Sequence, residues 1–154
     1  MNPLDAETLL AADEIYAKIV SLARESKDEQ KLALALHAQG HSFVLGNELE
    51  AAAKAFDESR ELSARLGDKR RAALSAVMLG YVAVVGGKLE EGLPRIVGAL
   101  VEIEAGDPGR QVVLLRLLEV SKRFEKKRFD AALKASMREL GAEVQAELAK
   151  SLAS

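Results

Sequence analysis

The stretches Lys31–Glu50, KLALALHAQGHSFVLGNELE, and Arg71–Glu90, RAALSAVMLGYVAVVGGKLE, decide the fold of this chain. Laid over one another at an offset of 40 residues, they agree at Ala33/Ala73, Leu34/Leu74, Gly40/Gly80, Val44/Val84, Gly46/Gly86, Leu49/Leu89 and Glu50/Glu90. Self-similarity at such a period is the mark of stacked supersecondary units, each burying its apolar face on the next. The following period is fainter: Phe129-Asp130 stands where Leu49-Glu50 and Leu89-Glu90 stood, and Ala132 answers Ala52. Read backwards, Leu9, Ala12 and Tyr16 fall on Leu49, Ala52 and Phe56, and Asp28 falls on Asp68. One domain over 1–154 is expected: a half repeat at 3–27, repeats at 28–67 and 68–107, a degenerate third at 108–141, and a capping extension at 142–154.

Inside each period the apolar spacing is helical. Leu49, Ala52, Ala53, Phe56 and Ser59 follow i, i+3, i+4, i+7, and Leu62 and Leu66 extend the stripe. Asn2-Pro3 and Asp107-Pro108 pair a cap with Pro at the first helical position, and Ser26-Lys27-Asp28-Glu29 and Asn47-Glu48-Leu49-Glu50 have capping-box form. Gly67 and Gly106 stand where helices should end. These signals predict seven antiparallel helices near 3–26, 28–46, 48–66, 69–86, 89–105, 108–127 and 129–152. Pro94 predicts a distorted first turn or a start nearer Gly92. Gly141 interrupts the last stripe, yet Leu133, Met137, Leu140, Val144, Leu148 and Leu152 keep one face, which predicts a single long helix.

Composition narrows the class. The 154 residues are 49% hydrophobic and 30% charged, with net charge −2 and no cysteine. That length buries a core unaided, and the lack of Cys removes disulfide frameworks, thiol nucleophiles and thiolate metal sites. The charge balance counts against a dedicated nucleic-acid binder. No basic-then-apolar leader pattern opens the chain. The longest uncharged stretch, Ala72–Gly87, is too short to span a bilayer. The expectation is an all-α cytoplasmic protein with no membrane contact.

The pattern Gly40, Phe43, Asn47, Leu49, Ala52 and Phe56 resembles a tetratricopeptide repeat in a 40-residue variant with lengthened helices. Its second copy is Gly80, Ala83, Gly87, Leu89, Gly92 and Ile96, and its poor third is Val120, Arg123, Lys127, Phe129, Ala132 and Ser136. The Trp usual near the start of the first helix is replaced by Leu36 and Ala76. Another α-solenoid, of the armadillo or HEAT kind, is the competing family. The resemblance implies an α-α superhelix whose first helices line a concave peptide-binding groove. By position, that groove would hold Leu34, His37, His41, Val44 and Leu45, then Leu74, Val77, Tyr81, Val84 and Val85. Leu114, Leu117, Ser121, Phe124 and Glu125 would complete it. On this reading the uncharged 72–87 helix leaves apolar side chains wet, each forgoing roughly 1.5–3 kcal/mol until something covers them. The carboxylate clamp of chaperone-binding members is missing, because the corresponding positions hold His37, His41, Met78, Leu114 and Leu118. The apolar groove is similar in kind to that of small three-repeat secretion chaperones.

Chemistry-bearing residues are few. His37 and His41, the two histidines, sit i, i+4, a spacing that can chelate a metal. No general-base Glu lies between them and no third ligand is evident, so they are read as polar contacts of the groove, with no metal and no cofactor. Protonation of both near pH 6 would make binding pH-dependent. Lys122, Arg123, Lys126, Lys127 and Arg128 surround Phe124; they could serve nucleic acid or an acidic partner, but a solvated helix C-terminus accounts for them. No Ser/His/Asp constellation, phosphate loop or dinucleotide fingerprint is present. The expected function is a non-enzymatic interaction module for a partner's apolar peptide or helix. Homo-oligomerisation through the same groove is the alternative.

Overall fold

The chain turns on a left-handed residue every twentieth position: Lys27 (φ 59°), Asn47 (φ 57°), Gly67 (φ 77°) and Gly87 (φ 89°). At three of these turns the same bond closes the helix end. Glu48 N–H donates to the Phe43 carbonyl at 2.8 Å, Asp68 N–H to Ser63 at 2.9 Å, and Lys88 N–H to Ala83 at 2.9 Å. Two of the four left-handed residues are not glycine, so the repeat register carries the turn even where local preference does not favour it. The next helix is then started by an aspartate where one is present: Asp28 accepts from Lys31 N–H at 3.1 Å and Asp68 from Arg71 N–H at 3.0 Å.

The computed structural model describes residues 6–138 and 140–153. They form eight helices and no strand: α1 Ala6–Ser26, α2 Glu29–Leu45, α3 Leu49–Arg65, α4 Lys69–Val85, α5 Leu89–Glu102, α6 Gly109–Ser121, α7 Lys126–Met137 and α8 Ala142–Ala153. The all-α class and the order of short-linked helices agree with the sequence. The Asn2-Pro3 cap and the Leu152 side chain lie outside what is described.

The described chain falls into two compact units, Met1–Ser75 and Ala76–Ser154, divided within α4. In the first, α2 packs against both α1 and α3. Val20, Ala23, Leu32, Ala33, Ala35, Leu36 and Leu62 form a buried cluster there. Arg24 clamps α1 to α3 through both oxygens of Glu58, at 2.6 and 2.8 Å. In the second unit, α5 packs against α6 and α7, and α6 touches α8. Gly80 of α4 faces Gly92 of α5 so closely that a Cβ on Gly80 would lie 2.6 Å from the Gly92 carbonyl oxygen. Arg110 caps the end of α5 by donating to the Leu100 and Ile103 carbonyls, each at 2.9 Å, while pairing with Glu147 of α8.

Five details differ from the sequence reading. Ser26 closes α1, its hydroxyl donating to the Ala23 carbonyl, and Asp28 is the cap of α2. Asn47 is the left-handed turn residue, so Glu48 takes the cap position of α3 without a side-chain bond. α5 starts at Leu89 and runs through Pro94. Both Pro94 and Glu90, whose carbonyl loses its helical donor, are exposed, so water can replace the missing bond. α6 stops at Ser121, where Lys122 and Arg123 N–H groups fold back on Glu119 and Val120, and α7 begins at Lys126. The expected long C-terminal helix is two helices, because Gly141 gives up helical continuity cheaply and its carbonyl starts α8 by accepting from Gln145.

Candidate functional site

α1 carries two adjacent apolar rows rather than one. Val20 and Ala23 turn into the core, whereas Ile15, Ile19 and Leu22, spaced i, i+4, i+7, stay 59%, 43% and 57% exposed. Opposite them on α2, Ala35 is buried but Leu34 is 52% exposed. Between the helices runs a groove of about 680 Å³, walled by Ile19, Leu22 and Leu34 and floored by Ala23, Ala35 and Ala38. Tyr16, Ser26 and Lys31 supply its polar groups. Small residues on the floor keep it deep, and large apolar residues on the rim remain in water. A contiguous wet apolar surface of this kind on a folded chain usually marks a binding site.

On the same helix, α2, the two half-buried histidines begin a polar chain that runs inward to buried serines. The Ser59 hydroxyl donates to the Ala33 carbonyl at 2.7 Å, so it can only accept from Ser75, whose Oγ lies 3.4 Å away. With its proton committed to Ser59, Ser75 accepts from His37 Nδ1 at 2.9 Å. His37 Nε2 is therefore the bare nitrogen, and it accepts from His41 Nε2–H at 3.3 Å. Both imidazoles stand edge-on to Phe56, with ring centroids 5.2 and 5.3 Å away. Phe56 fits there because Gly40 has no Cβ: one would lie 2.7 Å from the ring. Burial first, then the nearby charges of His41 and Arg71, push the His37 imidazole down to about 4. His37 is thus neutral at pH 6, so the condition for pH-dependent binding, both imidazoles protonated there, is not met at His37.

The residues assigned to a groove by family position are scattered in exposure. Leu34 and Leu45 are exposed; His37, His41, Val44, Leu74, Val85, Leu114, Ser121 and Phe124 are half-buried; Glu125 is exposed. Val77, Val84 and Leu117 are fully buried, and Tyr81 is only 6% exposed. The apolar surplus of 72–87 thus goes into the chain's own interior, with Gly80 against Gly92 and Ile96, and Val84 against Gly92. Of the expected positions, the α1–α2 groove includes Leu34 alone. The α1 residues Tyr16, Ile19 and Leu22 were missed, although the i, i+4, i+7 row through Ile15, Ile19 and Leu22 was there to be read.

The basic segment divides by role. Arg128 bonds both oxygens of Glu90 at 2.9 Å and stacks on Phe124, and Arg116 lies over the Tyr81 ring at 4.7 Å with Arg123 at 5.9 Å. Those bonds from Arg128 hold the Glu90 carboxyl down to about 2. Lys126, Lys127 and Arg128 open α7, so the favourable helix-C-terminus setting applies only to Lys122 and Arg123.

Among the described residues no group of three or more His, Cys, Asp or Glu is placed to hold a metal ion. No described helix is long and apolar enough to cross a membrane. The fold defines a helical-repeat type of chain. No family model matches it, and neither a curated protein nor a solved structure does.

Proposed function

We propose that this chain is a non-enzymatic, cytoplasmic interaction module that takes an apolar helix or extended segment of a protein partner into the α1–α2 groove. The observation that carries the reading is the exposed row Ile19, Leu22 and Leu34 around a floor of alanines. A partner helix presenting apolar side chains at i, i+3 or i+4, and i+7 would seat them on that floor and dry the rim. Each rim residue that leaves water contributes roughly 1.5–3 kcal/mol before ordering costs. Tyr16, Ser26 and Lys31 would set the direction and register of the bound segment. The repeat of turns every 20 residues, and the small residues at Gly40, Ala52 and Gly80, support kinship with the tetratricopeptide repeats.

Selection from a library of helical peptides, followed by methyl NMR of the full chain, tests this. Selected peptides should carry the spaced apolar anchors and shift the Ile19, Leu22 and Leu34 methyl signals. Peptides that shift only other methyls would overturn the site. A second reading, self-association through the same face, is favoured by Leu10 and Ile15, which extend it along α1 at 65% and 59% exposure. Sedimentation across concentrations separates the two: a constant monomer mass excludes self-association.

A further inference from the structure

We propose that His37 and His41 form a two-nitrogen chelate for a divalent transition-metal ion, copper(II) most tightly, with water in the remaining coordination positions. Their Nε2 atoms converge at 3.3 Å across one turn of α2. Two imidazole nitrogens each about 2.0–2.1 Å from one ion lie roughly 3–3.4 Å apart for bond angles between a right angle and tetrahedral. The helix has thus already brought both donors to chelating distance.

The surroundings are those of a prepared ligand rather than of two loose side chains. His37 is held through its Nδ1–H by Ser75, which is itself oriented by Ser59 and the Ala33 carbonyl. A ligating histidine is ordinarily fixed in this way, by a hydrogen bond on the ring nitrogen that does not meet the metal. The fixed tautomer aims the bare Nε2 of His37 at His41. Phe56 braces both rings from one side, and Gly40 makes room for it. Both histidines are half-buried rather than sealed in the core.

Binding replaces one bridge by another. Without metal, the Nε2–H of His41 bridges to His37. With metal, both imidazoles are neutral and carry their proton on Nδ1, and the ion lies between the two Nε2 atoms. No third side chain of a ligating type joins them among the described residues, so the site is an open chelate and not a closed structural zinc site. Imidazole donors without a size-selective cage follow the general order in which copper(II) exceeds nickel(II) and zinc(II).

The test is titration of the full chain, free of any affinity tag, with copper(II) in a non-coordinating buffer, read by electron paramagnetic resonance. The chain has two histidines and no cysteine, so imidazole signatures report on this pair. The expected result is one tight equivalent with two coupled imidazole nitrogens. His41→Ala, at a half-exposed position, should abolish the two-nitrogen signature and weaken binding at least tenfold. Ser75→Ala should weaken it roughly 10–100-fold while circular dichroism shows an intact helical fold. Should Ser75→Ala fail to fold, the His41→Ala comparison decides alone. Copper bound equally well by His41→Ala, or no stoichiometric binding by the wild type, overturns the site. Unchanged affinity in folded Ser75→Ala overturns the hydrogen-bonded arrangement proposed for it.

Discussion

Two copies of one packing motif, α2 with α3 and α4 with α5, solve the same contact in different ways. In the first, Gly40 faces the ring of Phe56. At the same register in the second, Gly80 faces Gly92 and Ile96, backbone against backbone. Forty residues apart, His37 corresponds to Val77 and His41 to Tyr81; the first pair is half-buried and polar, the second buried. In the first pair the space beside Gly40 is filled by an aromatic ring, against which both imidazoles stand edge-on. In the second, the backbone of Gly92 and the Ile96 side chain fill the space beside Gly80. One repeat therefore yields a site and the other a core.

The largest effect should come from removing the ring. Phe56→Ala deletes a fully buried ring and should cost about 3–5 kcal/mol in urea denaturation; a loss below about 1 kcal/mol would mean the ring does not fill the space beside Gly40. Next, Gly80→Ala should cost about 1–3 kcal/mol, because the new methyl meets a carbonyl that cannot rotate away. The sharper comparison is Gly40→Ala, whose methyl meets a side chain. Gly40→Ala/Phe56→Ile, which copies the second repeat's residue, should recover part of the loss of Gly40→Ala, and a double-mutant cycle showing strict additivity would break the analogy. Ser75→Ala should cost about 1–3 kcal/mol by leaving the His37 Nδ1–H without its acceptor.

The smallest effect is electrostatic and lies in the second unit. Arg128 lowers the Glu90 carboxyl from its ordinary 4.5 to about 2. The folded state thus binds fewer protons than the unfolded state between those values. The stabilisation is complete above pH 4.5 and is lost as pH falls through 2. The urea midpoint of Arg128→Gln should therefore approach that of the wild type as pH drops from 6 to 2.5. A gap that stays constant would show the pair to be energetically idle, as exposed ion pairs often are.

Much of this fold was legible because turn chemistry and hydrophobic period agree through residue 107. Asp28, Asp68, Gly67, Gly87 and Gly106 all lie where 40-residue self-similarity needs a start or a stop. Legibility fails after Ser121, where the chain turns without glycine or proline. The charged run 122–128 reads as a helix end, although half of it begins the next helix. The site was legible only at Leu34. Family position placed the groove on Val77 and Val84, but the contact of Gly80 with Gly92 draws that helix inward; small residues at Gly40, Ala52 and Gly80 point to close helix approach, yet not to which side chains that approach buries. The α1 rim was overlooked because α1 matches only half a repeat, and its second apolar row has no counterpart to be compared with.

The most direct measurement is the affinity of a selected helical peptide for three versions of the full chain: wild type, Ile19→Glu/Leu34→Glu, and Leu45→Glu. All three changed positions are well exposed, at 43%, 52% and 66%, so the fold should tolerate the charges. The α1–α2 groove predicts at least a hundredfold loss for the double variant, or about 2.8 kcal/mol, and little change for Leu45→Glu. Equal binding by wild type and the double variant, or a loss confined to Leu45→Glu, would contradict it.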